Sequence, residues 1–210
     1  TDSMSVRFNP AQVQCLLYSV RKYILLRLYI MKQLLILVAS FCLPLMSPAY
    51  NQAFPRSEVG AFEIKTLPAS VLIASQTEGH YFEENNGLFR PLFDYINAHG
   101  ITMTTPVEAE IDPGVMYFYI GEDVDVESLE KTDGIEFHNL PERMVASYGV
   151  RGRYSEENFE EAAEILRFWI SKNKNYEQSG EARGVFWHGP FVPGIFKRFE
   201  VHIPVLAIEK

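Results

Sequence analysis

Residues 62–85 read FEIKTLPASVLIASQTEGHYFEEN, and the same pattern returns 73 positions later, where residues 135–158 read IEFHNLPERMVASYGVRGRYSEEN. The two segments align without a gap and are identical at eight of 24 positions. The shared positions include a Leu-Pro pair, a glycine and a Glu-Glu-Asn triplet. Self-similarity at one fixed offset indicates a duplicated structural unit. We therefore predict two repeats, at about residues 58–125 and 131–208.

Each repeat begins with the same predicted order of elements. Runs of β-forming residues on either side of the Leu-Pro pair predict two strands, and a glycine then leads towards a helix. The predicted strands cover residues 62–65 and 71–76 in the first repeat, and residues 135–138 and 144–150 in the second.

The helix of the second repeat has the clearer start. Ser155 is a good N-cap, and two glutamates follow it in the first turn. Apolar residues then recur at helical spacing and predict one buried face, formed by Phe159, Ala162, Ala163, Leu166 and Ile170. In the first repeat, Asn85-Asn86-Gly87 predicts a delayed start, so we expect a shorter helix at about residues 87–98.

Two further strands are predicted after each helix. They cover residues 105–111 and 115–120 in the first repeat, and residues 184–187 and 198–207 in the second. The chain is therefore predicted to be an α+β protein of two β-β-α-β-β halves with pseudo-twofold symmetry. Their strands would form one bent antiparallel sheet, with both main helices on its convex side. We expect a ligand cleft at the axis, between the sheet and the helices.

The first 53 residues differ from the repeats. Met31 and Lys32 precede an apolar run at residues 34–43, which is the order of a signal peptide. Small residues further on predict cleavage after Ala49, with Ala53 as the second choice. Residues 1–30 would be an untranslated or disordered extension, 31–53 the signal peptide, and 54–210 an exported domain, periplasmic or secreted. A retained anchor is the alternative, although the apolar run is about half of the ~20 residues that a spanning helix needs.

Charge and cysteine content exclude several functions. The chain carries 19 basic and 27 acidic residues, and without residues 1–53 it keeps 14 and 26, a net charge of −12. Such a surface repels nucleic acids and anionic lipids. Both cysteines, Cys15 and Cys42, fall in the removed part. The mature domain is thus predicted to have no disulfide, no thiolate metal site and no stable membrane span.

Two later motifs resemble a known family. Met103-Thr104-Thr105-Pro106-Val107 is similar to the Met-Thr-(Ala/Thr/Val)-Pro-Val signature of the SOUL haem-binding family. The Pro-rich stretch at residues 189–201 is similar to that family's C-terminal loop and strand, with Lys197 and Phe199 where the family has Arg and Asn. The opening strand with its Leu-Pro corner and the helix at residues 89–96 also fit, so the resemblance covers nearly all of residues 58–208.

The resemblance implies non-covalent binding of haem or a related tetrapyrrole by a monomeric or weakly associating protein, for storage, trafficking or scavenging. It also implies a fold shared with the GyrI-like effector-binding domains, which bind drug-like cations. A fold does not decide between such ligands. The choice between a tetrapyrrole and a drug-like cation therefore depends on the chemistry of the residues at the site.

A haem pocket needs flat apolar walls, and its two propionates need cations. Arg90 on the first helix is the leading candidate cation, with Arg183 and the pair Lys197-Arg198 as others. Met103 is a candidate through the family signature. The candidate aromatic residues are Phe89, Phe93, Tyr117, Tyr119, Trp187 and Phe191.

Two histidines are candidate axial ligands for the haem iron. His80 follows the repeat glycine, and His188 precedes the Pro-rich loop. The alternative for each histidine is that it is a solvent-exposed loop residue that binds no ligand. No Cys-x-x-Cys-His motif is present in the sequence, so covalent attachment of haem is excluded.

Glu200 supports the alternative ligand class. Alternation along the last strand places Glu200 and His202 on one face. In GyrI-like domains an acidic residue of this strand meets cationic ligands, and the resemblance implies that role, or that of a general base in hydrolysis, for Glu200. The sequence contains no Gly-x-Ser-x-Gly, phosphate loop or His-Glu-x-x-His motif. We therefore expect a binding protein and not an enzyme, with a structural or interaction domain without a ligand as the third hypothesis.

Overall fold

The structure, a computed structural model, describes residues 22–33 and 51–208. The chain divides into two units, and residues 22–33 form a helix in the first. Among the described residues, no helix combines the length and the hydropathy required to cross a bilayer. Cys15, Cys42 and most of the predicted signal peptide lie outside the described residues, so its cleavage stays a prediction.

The second unit is an α+β domain, as the sequence predicts. Its helices are α1 (Tyr81–Ala98) and α2 (Glu156–Ser171), and short 3-10 turns lie at Val126–Ser128 and Gly194–Phe196. Its strands are β1 (Asn51–Gln52), β2 (Phe62–Leu67), β3 (Ser70–Gln76), β4 (Thr104–Thr105), β5 (Val107–Glu110), β6 (Val115–Tyr119), β7 (Glu136–Leu140), β8 (Arg143–Arg151), β9 (Tyr176–Gln178), β10 (Arg183–Phe186) and β11 (Arg198–Ala207).

The main sheet is antiparallel and keeps the symmetry of the repeat. Its strand order is β2-β8-β11-β10-β5-β6-β3-β7, with β9 paired to β11. This order is unchanged when the two repeats are exchanged, because β2 pairs with β8 as β7 pairs with β3, and β10 meets β5 at the centre. Lys65 lies opposite Val145, and Leu72 lies opposite His138, which are the equivalent pairs at an offset of 73. The predicted duplication is therefore confirmed.

Both helices pack on one face of the sheet. α1 contacts β3 and β6, and α2 contacts β8 and β11 at the equivalent place. The Ser155 hydroxyl accepts the Asn158 N–H and caps α2, and the predicted apolar face of α2 is buried.

The predicted start of the first helix is wrong. α1 begins at Tyr81, six residues before Gly87, and runs through the Asn-Asn-Gly sequence. Tyr81 is buried, stacks on Phe186 at 5.6 Å and donates its N–H to the Ile111 carbonyl. This packing holds the first turn and outweighs the weak helix propensity of the following residues.

The strand predicted at residues 105–111 is two strands. Pro106 lies between β4 and β5, since proline has no N–H to donate to a ladder. β4 pairs with β1 in a separate parallel ribbon, while β5 joins the main sheet.

The expected cleft between sheet and helices is filled. Buried side chains from α1, α2 and the sheet form one continuous apolar cluster there, including Leu92, Phe118, Leu166 and Phe199. The opposite face of the sheet, here called the helix-free face, carries a second cluster and nearly all of the buried charges. A ligand can therefore approach the axis between the repeats from the helix-free face. A smaller cavity beside α2, lined by Phe159, Glu110 and Arg183, adjoins the same two central strands.

Candidate functional site

The helix-free face gathers four of the residues that the sequence nominates. Tyr117 and Tyr119 on β6, Trp187 after β10 and Glu200 on β11 are all buried there, because side chains alternate along each strand. The ring of Phe54 lies among them, 5.6 Å from the Tyr119 ring and 5.7 Å from the Trp187 ring. Phe54 is 5% exposed, so this part of the face is occupied by the chain itself.

Phe54 belongs to residues 53–57, here called the strap. The Ala53 N–H donates to the Thr105 carbonyl at 2.8 Å, and the Lys65 ammonium donates to the Pro55 carbonyl at 2.9 Å. The Ser57 N–H donates to Glu200 Oε1 at 2.8 Å. The strap is therefore fixed to the sheet at both ends and in the middle.

Glu200 is the centre of a buried polar network. Besides the Ser57 N–H, its carboxylate accepts hydrogen bonds from the hydroxyls of Ser57 and Ser147, from the Lys65 ammonium and from His202 Nε2, at 2.8–3.1 Å. Burial alone would raise the pKa of Glu200, but the contacts with His202 and Lys65 outweigh it and hold the pKa well below its ordinary value. Glu200 is therefore an ionised and fully paired acceptor.

A second network surrounds Glu108. This buried carboxylate accepts hydrogen bonds from Arg143 and Arg183, each at 2.8 Å, and from the Tyr119 hydroxyl. Arg183 also binds Glu110, which accepts the Tyr117 hydroxyl. Burial would raise the pKa of Glu108, yet the two arginines lower it overall.

Most charges of the helix-free face are paired. Glu108, Glu110 and Glu200 contact Lys65, Arg143 and Arg183, and Glu63 is a further carboxylate 3.9 Å from Lys65. The paired residues of this face lie far apart in the sequence; Lys65 and Glu200, for example, are 135 positions apart. Sequence reasoning therefore missed most of these pairs. The sequence could have indicated one part of this network: Glu108 and Glu110 are two positions apart on β5, so their side chains lie on the same face of the sheet.

A cavity of about 900 Å³ adjoins the strap. Gln52, Ala53, Thr104 and Tyr119 form one side of it, and the turn between β2 and β3 forms the other. Its size is in the range of small-molecule sites.

The Pro-rich loop forms an exposed apolar surface elsewhere on the domain. Phe191 is 98% exposed and Ile195 is 72% exposed, and Phe196 lies beside them in the same loop. Isolated exposed apolar residues are common, but three large ones in six residues are not expected without a ligand or partner.

Three cations lie near His188 at the base of this loop. Desolvation is the main cause that lowers the pKa of His188, and the positive charges of Arg56, Arg198 and Lys197 lower it further. Arg56 also covers the Trp187 ring at 5.8 Å. We call Phe191, Ile195 and Phe196 with these three cations the loop patch.

His188 is held in a defined tautomer. Its Nδ1 accepts the Arg198 N–H at 3.0 Å, so a neutral ring carries its proton on Nε2. Ligation of a metal through Nε2 would move this proton to Nδ1 and break the hydrogen bond. The arrangement allows only a weak bond from His188 to iron.

His80 lies apart from the loop patch. It precedes α1, its Nε2 is 3.6 Å from Glu156, and it lines a cavity of about 510 Å³ with Glu110 and Arg183. Within residues 22–33 and 51–208, no group of three metal-ligating side chains converges.

The remaining nominated residues lie on or near α1. Phe89 and Phe93 stack at 5.4 Å, with Phe89 packed on Phe118 of the core. Arg90 is exposed, and Met103 packs against the core below the helices. The nominated residues thus occupy the helix-free face, the loop patch, the His80 cavity and α1, and they stay predictions as ligand contacts.

One family model matches most of the chain. Described as SOUL heme-binding protein, it matches residues 46–204. A comparison with curated protein sequences finds no significant match.

Several solved structures share the fold. The C-terminal domain of EcmrR has a TM-score of 0.56 at 16% identity, covering 70% of this chain and 98% of that chain. An uncharacterized conserved protein from Listeria innocua has a TM-score of 0.54 at 14% identity, covering 71% and 94%. A hydrolase from the same organism has a TM-score of 0.51 at 13% identity, also covering 71% and 94%. At these identities the likeness shows the fold alone.

Proposed function

The chain belongs to the SOUL haem-binding family, and on this premise we propose that it binds haem or a related tetrapyrrole non-covalently at the loop patch. The resemblance that its motifs carry is thereby confirmed, as is its relation in fold to the GyrI-like effector-binding domains. Storage, trafficking or scavenging of the ligand by an exported, monomeric domain is part of the same proposal.

The loop patch is the observation that carries this proposal. A tetrapyrrole offers a flat apolar ring and two carboxylates. Phe191, Ile195 and Phe196 offer an exposed apolar surface, which a ring would remove from water at about 25 cal/mol for each Å². Arg56, Lys197 and Arg198 offer positive charge beside it.

This local charge matters because the surrounding domain is acidic. A net charge of −12 over residues 54–210 repels a dianionic ligand at long range. Cations near the loop weaken this repulsion locally, since charges beyond about 8–10 Å are screened at physiological salt, although Arg198 also lies 4.0 Å from Glu58. The sequence alone nominated Lys197 and Arg198, and the structure adds Arg56 to them.

The residues present fit a haem that is held mainly by its ring and its carboxylates. Bound haem would supply an iron centre with axial positions. The lowered pKa of His188 keeps its imidazole neutral, which is the form that coordinates iron, while the hydrogen bond from Arg198 opposes ligation through Nε2. The loop patch therefore supports binding with a weak axial bond or none.

Haemin titration of two matched variants tests the proposal. Phe191→Ser removes the most exposed ring of the loop, and Phe168→Ser removes a ring on α2 that is 65% exposed. Both side chains are largely in water, so neither change should unfold the protein. We expect a saturable one-to-one shift of the Soret band in the wild type, weakened about tenfold by Phe191→Ser and unchanged by Phe168→Ser, since about 50 Å² of apolar contact is worth ~1.4 kcal/mol. Equal affinities in all three proteins would overturn the site.

Buried, ionised Glu200 favours a second candidate, the binding of drug-like cations on the helix-free face. His202, which binds the Glu200 carboxylate, lies 5.6 Å from the Phe54 ring, and the Tyr119 and Trp187 rings pack on the same ring. Aromatic rings near a carboxylate are a suitable environment for an organic cation. Lys65 and Ser57 already fill its acceptor positions, so a cation would have to displace them. Titration with tetraphenylphosphonium, with and without Glu200→Gln, separates the candidates: binding lost in Glu200→Gln favours the cation.

A further inference from the structure

The contacts that hold the strap are mostly those that an extended peptide offers. The Pro55 carbonyl and the N–H groups of Ala53 and Ser57 supply main-chain hydrogen bonds, and Phe54 supplies one buried ring. The side chains of Pro55 and Arg56 are exposed. Main-chain bonding with one or two side-chain pockets is how proteins bind extended peptides.

The surface under the strap has unpaired polar atoms of the kind that a binding site offers. Trp187 and His202 are more than nine-tenths buried, yet Trp187 Nε1 and His202 Nδ1 have no hydrogen-bond partner among the described residues. Arg143 Nη1 is likewise without one in the same part of the chain. Buried polar groups in a finished core are nearly always paired. The ring of Phe54 contacts Trp187 and His202 without satisfying either nitrogen.

The end of the strap also fits the sheet closely. The backbone of Ser57 and Glu58 lies directly on Gly149 of β8, where an added Cβ would collide with the Glu58 carbonyl oxygen. The Ser57 hydroxyl is 2.8 Å from the Ser147 hydroxyl. In a bound peptide, the residue that takes the place of Ser57, three positions after the aromatic residue, must therefore be small. A polar side chain at this position gains hydrogen bonds.

We propose that the helix-free face is a binding site for an extended peptide with an aromatic residue followed three positions later by a small polar one, and that the strap is its internal occupant. Phe54 and Ser57 define the two selective positions, and the two exposed residues between them are free to vary. This site shares Arg56 with the loop patch, but its occupation by a peptide does not require a bound tetrapyrrole.

Competition from the strap sets the affinity for an external peptide. A tethered segment acts at an effective concentration in the millimolar range. An external peptide of the same sequence must be present above this effective concentration to displace the strap. In the wild-type protein the strap therefore prevents weakly binding peptides from occupying the site. A substitution that weakens the contacts of the strap should allow them to bind.

The chain has two tryptophans, which allows a direct test. In a Trp169→Phe background, Trp187 is the only tryptophan and can be excited selectively over the tyrosines, and it lies 5.7 Å from Phe54. The probe is the blocked peptide acetyl-Asn-Gln-Ala-Phe-Pro-Arg-Ser-amide, titrated into this background with and without Phe54→Ala. We expect a saturable change in Trp187 emission with Phe54→Ala, and binding at least about tenfold weaker with Phe54 intact. A control peptide with alanine at its phenylalanine should give no change.

Two results overturn the proposal: no binding of the peptide to Phe54→Ala, or equal binding with Phe54 intact. If Phe54→Ala does not fold, hydrogen exchange of the wild type decides. The amides of Ala53 and Ser57 should then exchange together through a local opening, well before the core of β8 and β11. Exchange of these two amides only with global unfolding would show that the strap is a fixed part of the core.

Discussion

The N–H of Ser57 donates to Glu200 Oε1 at 2.8 Å across 143 positions of sequence. Both residues are buried, and this bond joins the first residues of the domain to its last strand. The other oxygen of the same carboxylate, Oε2, accepts hydrogen bonds from Lys65, Ser147 and His202. The charge of Glu200 therefore supports both the strap and the sheet beneath it.

Acid should destabilise the protein through Glu200. The pKa of Glu200 is below its ordinary value of 4.5 in the folded state. As pH falls through that value, the unfolded chain binds a proton that the folded chain does not, so stability present at neutral pH is lost. Urea denaturation at pH 7 and at pH 4 should show a lower free energy of unfolding at pH 4.

Glu200→Gln provides the matched variant for this effect. It removes the nearer of the two carboxylates that pair with Lys65 and leaves only Glu63 at 3.9 Å, so we expect a loss of about 3 kcal/mol at neutral pH. It should also flatten the dependence on pH below about pH 5. Glu164→Gln, at an exposed position of α2, should change neither quantity. A Glu200→Gln variant with the wild-type slope would contradict the assignment.

Gly149→Ala should loosen the strap. The new methyl group would collide with the Glu58 carbonyl, so residues 57 and 58 must move away from β8. We expect Trp187 emission to shift to longer wavelength and a loss of about 1–3 kcal/mol. Gly87→Ala is the control, since an added methyl there meets nothing within 4 Å, and alanine should stabilise α1 by about 0.5–1 kcal/mol. A loss of stability in both would point to a general intolerance of alanine.

Charge reversal at the loop patch should weaken haemin binding. Lys197→Glu removes one cation and adds an anion beside His188, and we expect about a fivefold loss of affinity that shrinks at high salt. Lys174→Glu makes the same change of charge at an exposed position outside the patch and should have little effect. Equal losses would mean that only net charge matters.

The two histidines should differ in the haem complex. His188 lies within the loop patch, whereas His80 lines another cavity beside Glu110 and Arg183. His188→Ala should therefore change the absorption spectrum of bound haem only slightly, as the loss of a weak axial bond would, and His80→Ala should leave it unchanged. The reverse result would move the ligand to the His80 cavity.

N-terminal sequencing of the exported protein should begin at Tyr50. Cleavage after Ala49 keeps β1, which pairs with β4, and keeps the Ala53 N–H on the Thr105 carbonyl. Cleavage after Ala53 would remove both and place a charged amino group on buried Phe54. A sequence that begins at Phe54 would contradict this expectation.

The parts of the fold that local chemistry determines could be predicted from the sequence. Ser155 and the apolar spacing after it locate α2, and the 73-residue repeat establishes the two halves. The start of α1 could not be predicted, because Tyr81 is held by its packing on Phe186 and not by helix propensity. Alternation correctly placed Glu200 and His202 on one face of the last strand, whereas the presence of Tyr117 and Tyr119 on the same face follows only from the pairing of the strands.

The burial of the strap could not be predicted from the sequence, for a different reason. Phe54 follows a predicted cleavage region and has no periodic pattern, so its burial depends wholly on contacts with Tyr119, Trp187 and His202 from distant strands. The cation group of the loop patch has the same origin, since Arg56 reaches Trp187 only when the strap is seated. Contacts of this kind leave no local signal.

The most direct test of tetrapyrrole binding is a ¹⁵N–¹H titration of the wild-type protein with zinc protoporphyrin, which is diamagnetic. We predict saturation at one equivalent, with shifts grouped at residues 188–198 and at Arg56. The amides around Phe89, Arg90 and Phe93 on α1 should stay in place. Shifts confined to α1 would contradict the site, and an absence of saturable shifts would contradict tetrapyrrole binding itself.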